Sequence, residues 1–411
     1  MRAAIRHLVR NRRRSLLTLL AILCPVYVLV VMFGFASAMM NDLFDTVTRI
    51  DTGHLQIRAV ETRASGSAMP LLRDPAPALA VVAQAEGIEW FTVRLDLPAL
   101  ASAGERSRPV VVQGVVPEEI DPISAMRDRI VDGIYLESGS PGVVIGKELA
   151  ALLQLAVGEE FTLLGAHPET GVGAVRVPVV GIVDVPVAEL GRSLVQAPLA
   201  VARSLARSPS AATAIVLRVA GVTGTWHTDR IDAVAAALRT ALPADVDVRN
   251  WRALVPQVEI YMRLVGPAML VVAAVFFALG ALVVLNTVYL SVMERTRELG
   301  LILSLGASRR RVVRMILTEA GVLAAAGAAG GAMAGVVLIL AIEALGGIPL
   351  VGDFQLFAKA MGMSPALHVR VAAPQVALAA AAMAAVALLA AWIPARRASH
   401  LEPVEAMRYV E

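Results

Sequence analysis

The segment from Met293 to Glu319 reads MERTRELGLILSLGASRRRVVRMILTE. A charged stretch is followed by a short apolar patch at Leu299, Ile302 and Leu303, and then by a second stretch rich in arginine. The intervening Gly306-Ala307-Ser308 favours a break, because glycine readily leaves helical geometry. We therefore predict the charged end of one helix, an interruption, and a second helix that begins with basic residues.

Long apolar runs lie on both sides of this segment, and two more occur near the ends of the chain. A helix needs about 20 apolar residues to cross the hydrocarbon core of a bilayer. Runs of this kind fall within 15–41, 263–293, 315–342 and 371–394. The chain has 411 residues, of which 57% are hydrophobic and 17% charged, so it is too apolar for a disordered protein. We predict a membrane protein with four transmembrane α-helices.

The first apolar run follows a basic segment, 1–14, which contains six arginines. A cleaved signal peptide is the alternative interpretation, since Ala36-Ser37-Ala38 resembles a cleavage site. The run from Leu16 to Phe35 is, however, longer than the roughly 7–15 residues of a signal-peptide core. We therefore interpret it as a retained signal anchor.

Positive charge near the spans predicts their orientation. Arginines concentrate in 1–14, 294–314 and 395–411, whereas 343–370 contains only Lys359 and Arg370 as basic residues. With four spans, the three arginine-rich segments share one side, which the positive-inside rule makes cytoplasmic. Residues 42–262 and 343–370 are then extracytoplasmic.

Residues 42–262 form a large soluble-looking insertion between helices 1 and 2, and their pattern predicts an α+β domain. β-branched or alternating runs predict six strands, at His54–Arg58, Pro109–Gly114, Gly142–Ile145, Glu160–Leu164, Val175–Val183 and Ala214–Val219. Four helices are predicted at Pro77–Glu86, Lys147–Leu155, Leu199–Ser208 and Thr228–Leu242. We expect two lobes, one from 103–198 and one from 42–102 together with 199–262.

Reactive and metal-binding patterns are missing from the sequence. The single cysteine, Cys24, excludes an intrachain disulfide and a cysteine-based zinc cluster. The six histidines are scattered, and neither H-E-x-x-H nor G-x-S-x-G occurs. A net charge of +3 and 4% aromatic residues oppose a nucleic-acid surface. We expect no catalytic site, no metal and no nucleic-acid partner.

Three glycines in the third span, Gly327, Gly331 and Gly335, are four residues apart. Small residues at this spacing let helix backbones approach closely in a membrane. The contact could lie between subunits or repeats, or inside one protomer, and we favour the second interpretation.

The apolar patch at Leu299, Ile302 and Leu303 falls in a loop predicted to be cytoplasmic. With nothing else in the loop to bury it, such a patch favours contact with a partner protein. The alternative is a solvated loop that lies on anionic lipid.

The same segment resembles the hallmark loop of MacB/FtsX-like ABC transporter permeases. Arg295 with Glu298-Leu299-Gly300, and then Leu305-Gly306-Ala307-Ser308, match that pattern. Three further stretches are similar to the family in the same order along the chain: Gly53–Ile57, Val143–Ala150 followed by Val157-Gly158-Glu159, and Pro394–Arg408. Span order and domain size are also similar to those of the permeases that release lipoproteins from the bacterial inner membrane (Lol type).

The resemblance implies a permease subunit without catalytic activity of its own. Such permeases work in homo- or heterodimeric pairs, and separate cytoplasmic ATPase chains bind ATP and Mg²⁺; this chain contains no Walker motif and is expected to bind no cofactor. ATPase cycling moves the spans and the periplasmic domains, and in the lipoprotein-releasing members a lipoprotein is lifted out of the membrane and passed to a soluble carrier. Two alternatives are MacB-like export of a peptide, toxin or drug with an adaptor and outer-membrane channel, and FtsX-like regulation of cell-wall hydrolases.

The resemblance also implies two sets of site residues. The expected ATPase-coupling residues are Glu294, Arg295, Arg297, Glu298, Leu299, Gly300, Ile302, Leu303, Gly306 and Ala307. In the lipoprotein-releasing family one permease presents a hairpin to the carrier, and the matching residues here are Gly165, His167, Pro168, Glu169, Gly171 and Gly173. This stretch lacks the large side chains that dominate binding hot spots, so we expect it to be a weak carrier hook.

The predicted orientation can be tested with single cysteines at Ser102 and Ser308 in a Cys24→Ser background. A membrane-impermeant thiol reagent, added to intact cells with a permeable outer membrane, should label position 102 and not position 308. Lysed cells provide the control, because both positions should react there. Labelling of position 308 in intact cells would contradict the orientation.

Overall fold

The computed structural model describes residues 12–60, 70–72, 74–120, 122–167, 171–185, 188–349, 351–352, 355, 366–369 and 371–400. The chain divides into two compact units. A helical unit lies within Met1–Ala38, Met262–Ile348 and Ala366–Glu411, and an α+β unit lies within Met39–Tyr261 and Pro349–Pro365.

The regular elements follow one another in this order: α1 Arg12–Val47, β1 Leu55–Ala59, α2 Ala76–Gln84, β2 Ile88–Ala103, β3 Arg106–Val115, α3 Pro117–Ile120, β4 Ile130–Gly133, β5 Val143–Gly146, α4 Lys147–Leu153, β6 Glu160–His167, β7 Gly171–Val183, α5 Ala188–Ser193, β8 Leu194–Pro198, α6 Leu199–Ala206, β9 Ala214–Val219, α7 Thr228–Ala241, β10 Val246–Asn250, α8 Trp251–Leu254, α9 Pro256–Glu294, α10 Thr296–Ser304, α11 Arg309–Ala344, β11 Ile348–Pro349, β12 Ala366–Leu367 and α12 Ala373–Ala398. A π-helix, Thr48–Thr52, follows α1. Short 3₁₀ helices occur at Arg127–Arg129 and Gly224–His227.

Four helices, α1, α9, α11 and α12, are long and apolar enough to cross a membrane, so the predicted four-helix membrane architecture is confirmed. Their ends differ from the predicted spans. Helix α9 has 39 residues, or about 58 Å, against a hydrocarbon core of about 30 Å. Helix α11 begins at Arg309, so the arginines at 309–311 form its first turn and do not lie in a loop. The hydropathy pattern marks only the apolar part of each helix, and the charged ends continue beyond it.

The core of the helical unit is built from aliphatic residues of α1 and α9 and small residues of α12. Ile22, Val26 and Val30 of α1 are at most 2% exposed. Their cluster includes Val284, Val288 and Val292 of α9 and Ala387, Ala391 and Ala395 of α12. In a bilayer, helices associate mainly through close van der Waals packing, which small residues permit.

The glycine stripe of α11 lies directly against α1. A Cβ atom at Gly331 would come within 2.4 Å of the carbonyl oxygen of Leu23. At Gly327 it would lie 2.9 Å from Ile22 Cβ, and at Gly335 it would lie 2.7 Å from Val30 Cγ1. The stripe is thus a helix–helix contact within one protomer.

We predict that Gly331→Ala destabilises the helical unit by about 1–3 kcal/mol, because α1 and α11 must separate to admit the methyl group. Gly321→Ala on the same helix is a matched control, since the nearest atom to its Cβ would be Leu388 Cδ2 at an ordinary 3.5 Å. Thermal unfolding of the detergent-solubilised protein should show a lower midpoint for the first variant only. Equal midpoints for the two variants would contradict the close contact.

The α+β unit contains one long sheet path, in the order β10-β1-β9-β2-β3-β8-β5-β7-β4, with β6 paired to both β2 and β7. Strand β2 has 16 residues. Its first half pairs with β9 and its second half with β3, both antiparallel. The predicted lobe boundary at residue 103 falls at the end of this strand, which joins β9 of one predicted lobe to β3 of the other.

Each predicted strand and helix of this unit has an observed counterpart, but β2, β4, β8 and β10 were not predicted. Strand β2 was missed because Arg94, Asp96 and Pro98 interrupt its apolar pattern. Arg94 and Asp96 are in fact buried and form an ion pair, with Nη2 and Oδ2 separated by 2.9 Å. A charge that is paired inside the fold cannot be distinguished in the sequence from one that faces solvent.

An aromatic cluster packs beside the sheet inside the α+β unit. Phe44 at the end of α1 stacks on His54, with ring centroids 5.7 Å apart, and meets Trp251 edge-on at 5.3 Å. The Nδ1 atom of His54 accepts a hydrogen bond from the backbone N–H of Val219 in β9 at 3.0 Å. Residues 44, 54 and 251, far apart in the chain, are therefore held together within this unit.

His54 makes the stability of this cluster depend on pH. Burial, and then the positive charge of Arg218, lower the pKa of His54 from 6.5 to about 4. The unfolded ring takes up a proton below about pH 6.5, whereas the folded ring stays neutral until about pH 4. The stabilisation is therefore complete above pH 6.5 and is lost as the pH falls to 4, at up to about 1.4 kcal/mol per pH unit.

We predict that the urea midpoint of unfolding, followed by the fluorescence difference between the protein and its Trp251→Phe variant, falls between pH 6.5 and pH 4. His54→Asn keeps a hydrogen-bond acceptor near the Nδ1 position but does not titrate. Its midpoint should fall less over the same pH range. Parallel pH profiles for the two proteins would show that His54 does not carry the dependence.

Candidate functional site

Helix α10 and its flanking residues form the candidate site. The helix starts after a kink at Arg295, whose backbone leaves helical geometry with φ −110° and ψ 16°. Thr296 Oγ1 donates hydrogen bonds to the carbonyl oxygens of Val292 and Met293 at 3.1 and 2.8 Å. The hydroxyl thus occupies backbone acceptors at the end of α9 where the helix is interrupted.

Arg295 ties the start of α10 to α11. Its Nε lies 3.2 Å from a carboxylate oxygen of Glu298, and its Nη1 lies 3.1 Å from one of Glu319. The Arg295 and Glu319 side chains are only 20% and 22% exposed. The coupling role predicted for Arg295 stays a prediction; its two ion pairs attach the start of α10 to α11.

The apolar side of α10 is covered by the protein's own helices. Leu299 is 2% exposed and belongs to the same buried cluster as Val292 of α9 and Val312 and Ile316 of α11. Ile302 and Leu303 pack against this cluster and are partly buried, and Gly300 is also buried. The expectation that nothing else in the loop buries this patch is wrong, because the short helix folds back on the ends of the helices that it connects.

The outward side of α10 carries a different pair of leucines. Leu301 is 53% exposed and Leu305 is 80% exposed. They are four residues apart and so lie on one side of the helix. The polar and charged residues Glu294, Arg297, Glu298 and Ser304 around them are exposed as well, and so is Gly306. We did not select Leu301 and Leu305 from the sequence, although their spacing, on the side away from Leu299, could have indicated them.

The helix break follows Schellman geometry at Gly306. The N–H of Gly306 donates to the carbonyl oxygen of Leu303 at 3.0 Å, and the N–H of Ala307 donates to that of Ile302 at 3.2 Å. Gly306 has φ +89°, a conformation in which other residues are strained. Ser308 is then extended, and α11 starts at the next residue. This glycine fixes the direction in which α11 leaves α10.

The predicted carrier hairpin is mostly regular strand. Pairing of β6 with β7 continues to Gly165 opposite Gly173 and His167 opposite Gly171. A Cβ at Gly173 would lie 2.0 Å from the carbonyl oxygen of Leu205 in α6. Gly165 and Gly173 are buried and permit close packing against α6, so they are not exposed for contact with a carrier. Pro168 and Glu169 lie outside the described residues.

Buried polar groups in the α+β unit form structural pairs. Tyr135 donates a hydrogen bond to Gln196 Oε1 at 2.7 Å, and Gln196 Nε2 donates to Gln113 Oε1 at 3.0 Å. These hydrogen bonds do not involve a metal site, because among the residues that the structure describes no three His, Cys, Asp or Glu side chains are grouped so that they could hold a metal ion.

Two family matches cover most of the chain. Residues 15–241 match the MacB-like periplasmic core domain, and residues 270–403 match the FtsX-like permease C-terminal domain. The chain belongs to the MacB/FtsX-like family of ABC transporter permeases. The recognition made from the α10 segment is thereby confirmed, and α10 lies within the second matched region.

Individual relatives carry two kinds of name. The permease is 24% identical to the lipoprotein-releasing system transmembrane protein LolC of Xylella fastidiosa strain Temecula1, over 74% of each chain. It is 24% identical to LolC of Neisseria meningitidis serogroup B, over 95% of this chain and 92% of the relative. It is 25% identical to the macrolide export ATP-binding/permease protein MacB of Rhodospirillum rubrum, over 99% of this chain and 60% of that relative.

Membership of this family defines the environment of the two units. The permease is a multi-pass protein of the bacterial inner membrane with its α+β domain in the periplasm. It is a transporter component, which agrees with the predicted non-catalytic role, and the family implies a cytoplasmic ATPase partner. A site for this partner has to lie on a cytoplasmic segment, as α10 does by the positive-inside rule.

Two leucines of α10 should respond differently to truncation. Leu299→Ala removes a buried side chain and should destabilise the helical unit by about 2–5 kcal/mol. Leu301→Ala removes an exposed side chain and should change stability by no more than about 0.5 kcal/mol. Thermal unfolding of the purified variants in detergent measures both changes in stability. A destabilised Leu301→Ala, or an unaffected Leu299→Ala, would reverse the assignment of the two sides.

Proposed function

We propose that this permease couples ATP hydrolysis by a separate cytoplasmic ATPase to movement of its periplasmic domain, and that this movement extracts lipoproteins from the inner membrane for transfer to a carrier. The observation that carries the proposal is the extent of the match to LolC. The alignment with the Neisseria relative spans nearly all of both chains, whereas the alignment with Rhodospirillum MacB covers only 60% of the relative.

We assign contact with the ATPase to the outward side of α10. Leu301 and Leu305 provide an apolar centre, and the exposed side chains of Arg297 and Glu298 provide charges beside it. Apolar side chains ringed by polar ones are typical of protein interfaces. The proposed role of Leu299 and Gly300 changes accordingly, because they support this surface from the buried side.

The attachment of α10 suits it for transmitting force. The two carboxylate contacts of Arg295 and the burial of Leu299 link α10 to α11 on one side and to α9 on the other. A loop attached only at its ends would absorb a displacement by bending. Because α10 is packed against both helices, a push on Leu301 and Leu305 would displace α9 and α11 together.

The remaining partners follow from the same mechanism. ATP and Mg²⁺ would bind the ATPase, and a second permease, identical or different, would complete the pair. The carrier would dock on the partner permease or on a surface other than the β6–β7 hairpin, where Gly165 and Gly173 pack against α6. MacB-like export through an adaptor is the second candidate, and the match of residues 15–241 to the MacB-like core domain favours it.

The proposal can be tested in proteoliposomes that contain the permease, the ATPase that co-purifies with it, a fluorescent triacylated lipoprotein and a soluble carrier. ATP-dependent transfer of the lipoprotein to the soluble fraction is expected. ATP-dependent macrolide transport with no lipoprotein transfer would instead establish the export function.

The same assay tests α10. Leu301→Asp combined with Leu305→Asp places two carboxylates in an apolar contact and should lower ATP-dependent release at least tenfold, since an unpaired charge in a buried contact costs a few kcal/mol. Leu345→Asp is the matched control, because Leu345 is 86% exposed at the other end of α11. Unchanged release and unchanged ATPase stimulation in the double variant would exclude this surface as the coupling site.

A further inference from the structure

A groove of about 360 Å³ lies at the C-terminal end of α12 and has no part in the proposed coupling function. It is lined by Trp392, Ile393, Arg396, Arg397 and His400. The two large apolar residues are about half exposed, Trp392 at 48% and Ile393 at 49%. Such exposure is expected for side chains that contact lipid.

Along α12, each large apolar residue of the groove is followed one helical turn later by an arginine. Trp392 and Arg396 are four residues apart, and so are Ile393 and Arg397, so each pair lies on one side of α12. The guanidinium carbon of Arg396 lies 5.7 Å from the centre of the Trp392 ring. The groove is therefore apolar toward the middle of the membrane span and cationic at its end.

A third arginine, on another helix, contacts one of the lining residues. Arg309, the first residue of α11, approaches His400, with its Nη1 2.9 Å from Nδ1 of the imidazole. Arginine can only donate, so Nδ1 of His400 accepts this hydrogen bond. The start of α11 thus adds a positive charge next to His400, beside the cationic end of the groove.

The position of the groove along α12 matches the level of phospholipid headgroups. The arginine-rich end of this span is cytoplasmic by the positive-inside rule, and tryptophan is enriched where a span meets the headgroup layer. None of the five lining residues is acidic. Basic pockets beside transmembrane helices on the cytoplasmic side suit anionic headgroups, and the adjacent apolar wall suits an acyl chain.

We propose that this groove binds one anionic phospholipid of the cytoplasmic leaflet. Arg396 and Arg397 hold its phosphate, Arg309 adds positive charge from α11, and an acyl chain lies along Trp392 and Ile393. The bound lipid links the end of α12 to the start of α11.

The position of Trp392 permits a direct test. Of the four tryptophans, Trp392 alone lies in a membrane helix, whereas Trp90, Trp226 and Trp251 belong to the α+β unit. The full-length permease is placed in nanodiscs with brominated phosphatidylglycerol or brominated phosphatidylcholine as quencher, and the signal of Trp392→Phe is subtracted. Half-maximal quenching should need about tenfold less of the anionic lipid.

Charge variants distinguish binding in this groove from a general attraction of anionic lipid to the basic cytoplasmic surface. Arg396→Gln with Arg397→Gln should abolish the preference for phosphatidylglycerol. Arg310→Gln with Arg311→Gln removes the same charge from the same side of the membrane, outside the lining residues, and should change the preference less than twofold. If the first double variant does not fold, Arg397→Gln alone leaves the Arg396–Trp392 contact in place and should reduce the preference at least threefold.

Three results would overturn the proposal. One is a preference that persists without Arg396 and Arg397, and another is an equal loss of preference in the two double variants. The third is loss of the preference when inorganic phosphate is added at 10 mM in constant total ionic strength, which would assign the groove to a soluble anion. These outcomes do not depend on whether the permease releases lipoproteins.

Discussion

Helices α1 and α11 pack so closely at Gly327, Gly331 and Gly335 that side chains at these positions would overlap α1. Within a bilayer there is little hydrophobic drive for helices to associate, so contacts of this kind have to supply the packing energy. The alanines of α12 continue the same principle, with Ala387, Ala391 and Ala395 fully or almost fully buried. The same buried cluster includes residues of all four membrane helices, so this contact lies within the core of the unit.

Helix α10 belongs to the same packed structure. Its buried side joins the cluster formed by α9 and α11 through Leu299, and Arg295 adds two carboxylate contacts. Gly306 then sets the angle at which α11 begins. A segment with these attachments has one buried and one open side, and Leu301 and Leu305 lie on the open side.

Strand β2 connects the two parts of the periplasmic sheet, because its first half pairs with β9 and its second half pairs with β3. The buried pair Arg94–Asp96 lies where the two halves meet. Removing one partner would leave an uncompensated charge in the interior, which is more costly than losing the pair. Arg94 and Asp96, which interrupt the apolar pattern of β2 in the sequence, therefore lie where the two halves of the domain's sheet are joined.

The sequence alone determined the four membrane helices, their orientation, the α+β class of the insertion and the family, because apolar run length, arginine distribution and turn residues are local properties. It also located the break at Gly306 and the stripe on α11. Only the tertiary structure decided which side of α10 is open, since Leu299 and Leu301 are chemically identical and differ only in whether α9 and α11 cover them. It likewise decided that Gly165 and Gly173 pack against α6 and that Arg309 of α11 meets His400 after α12. These contacts join residues far apart in the chain, and no local pattern records them.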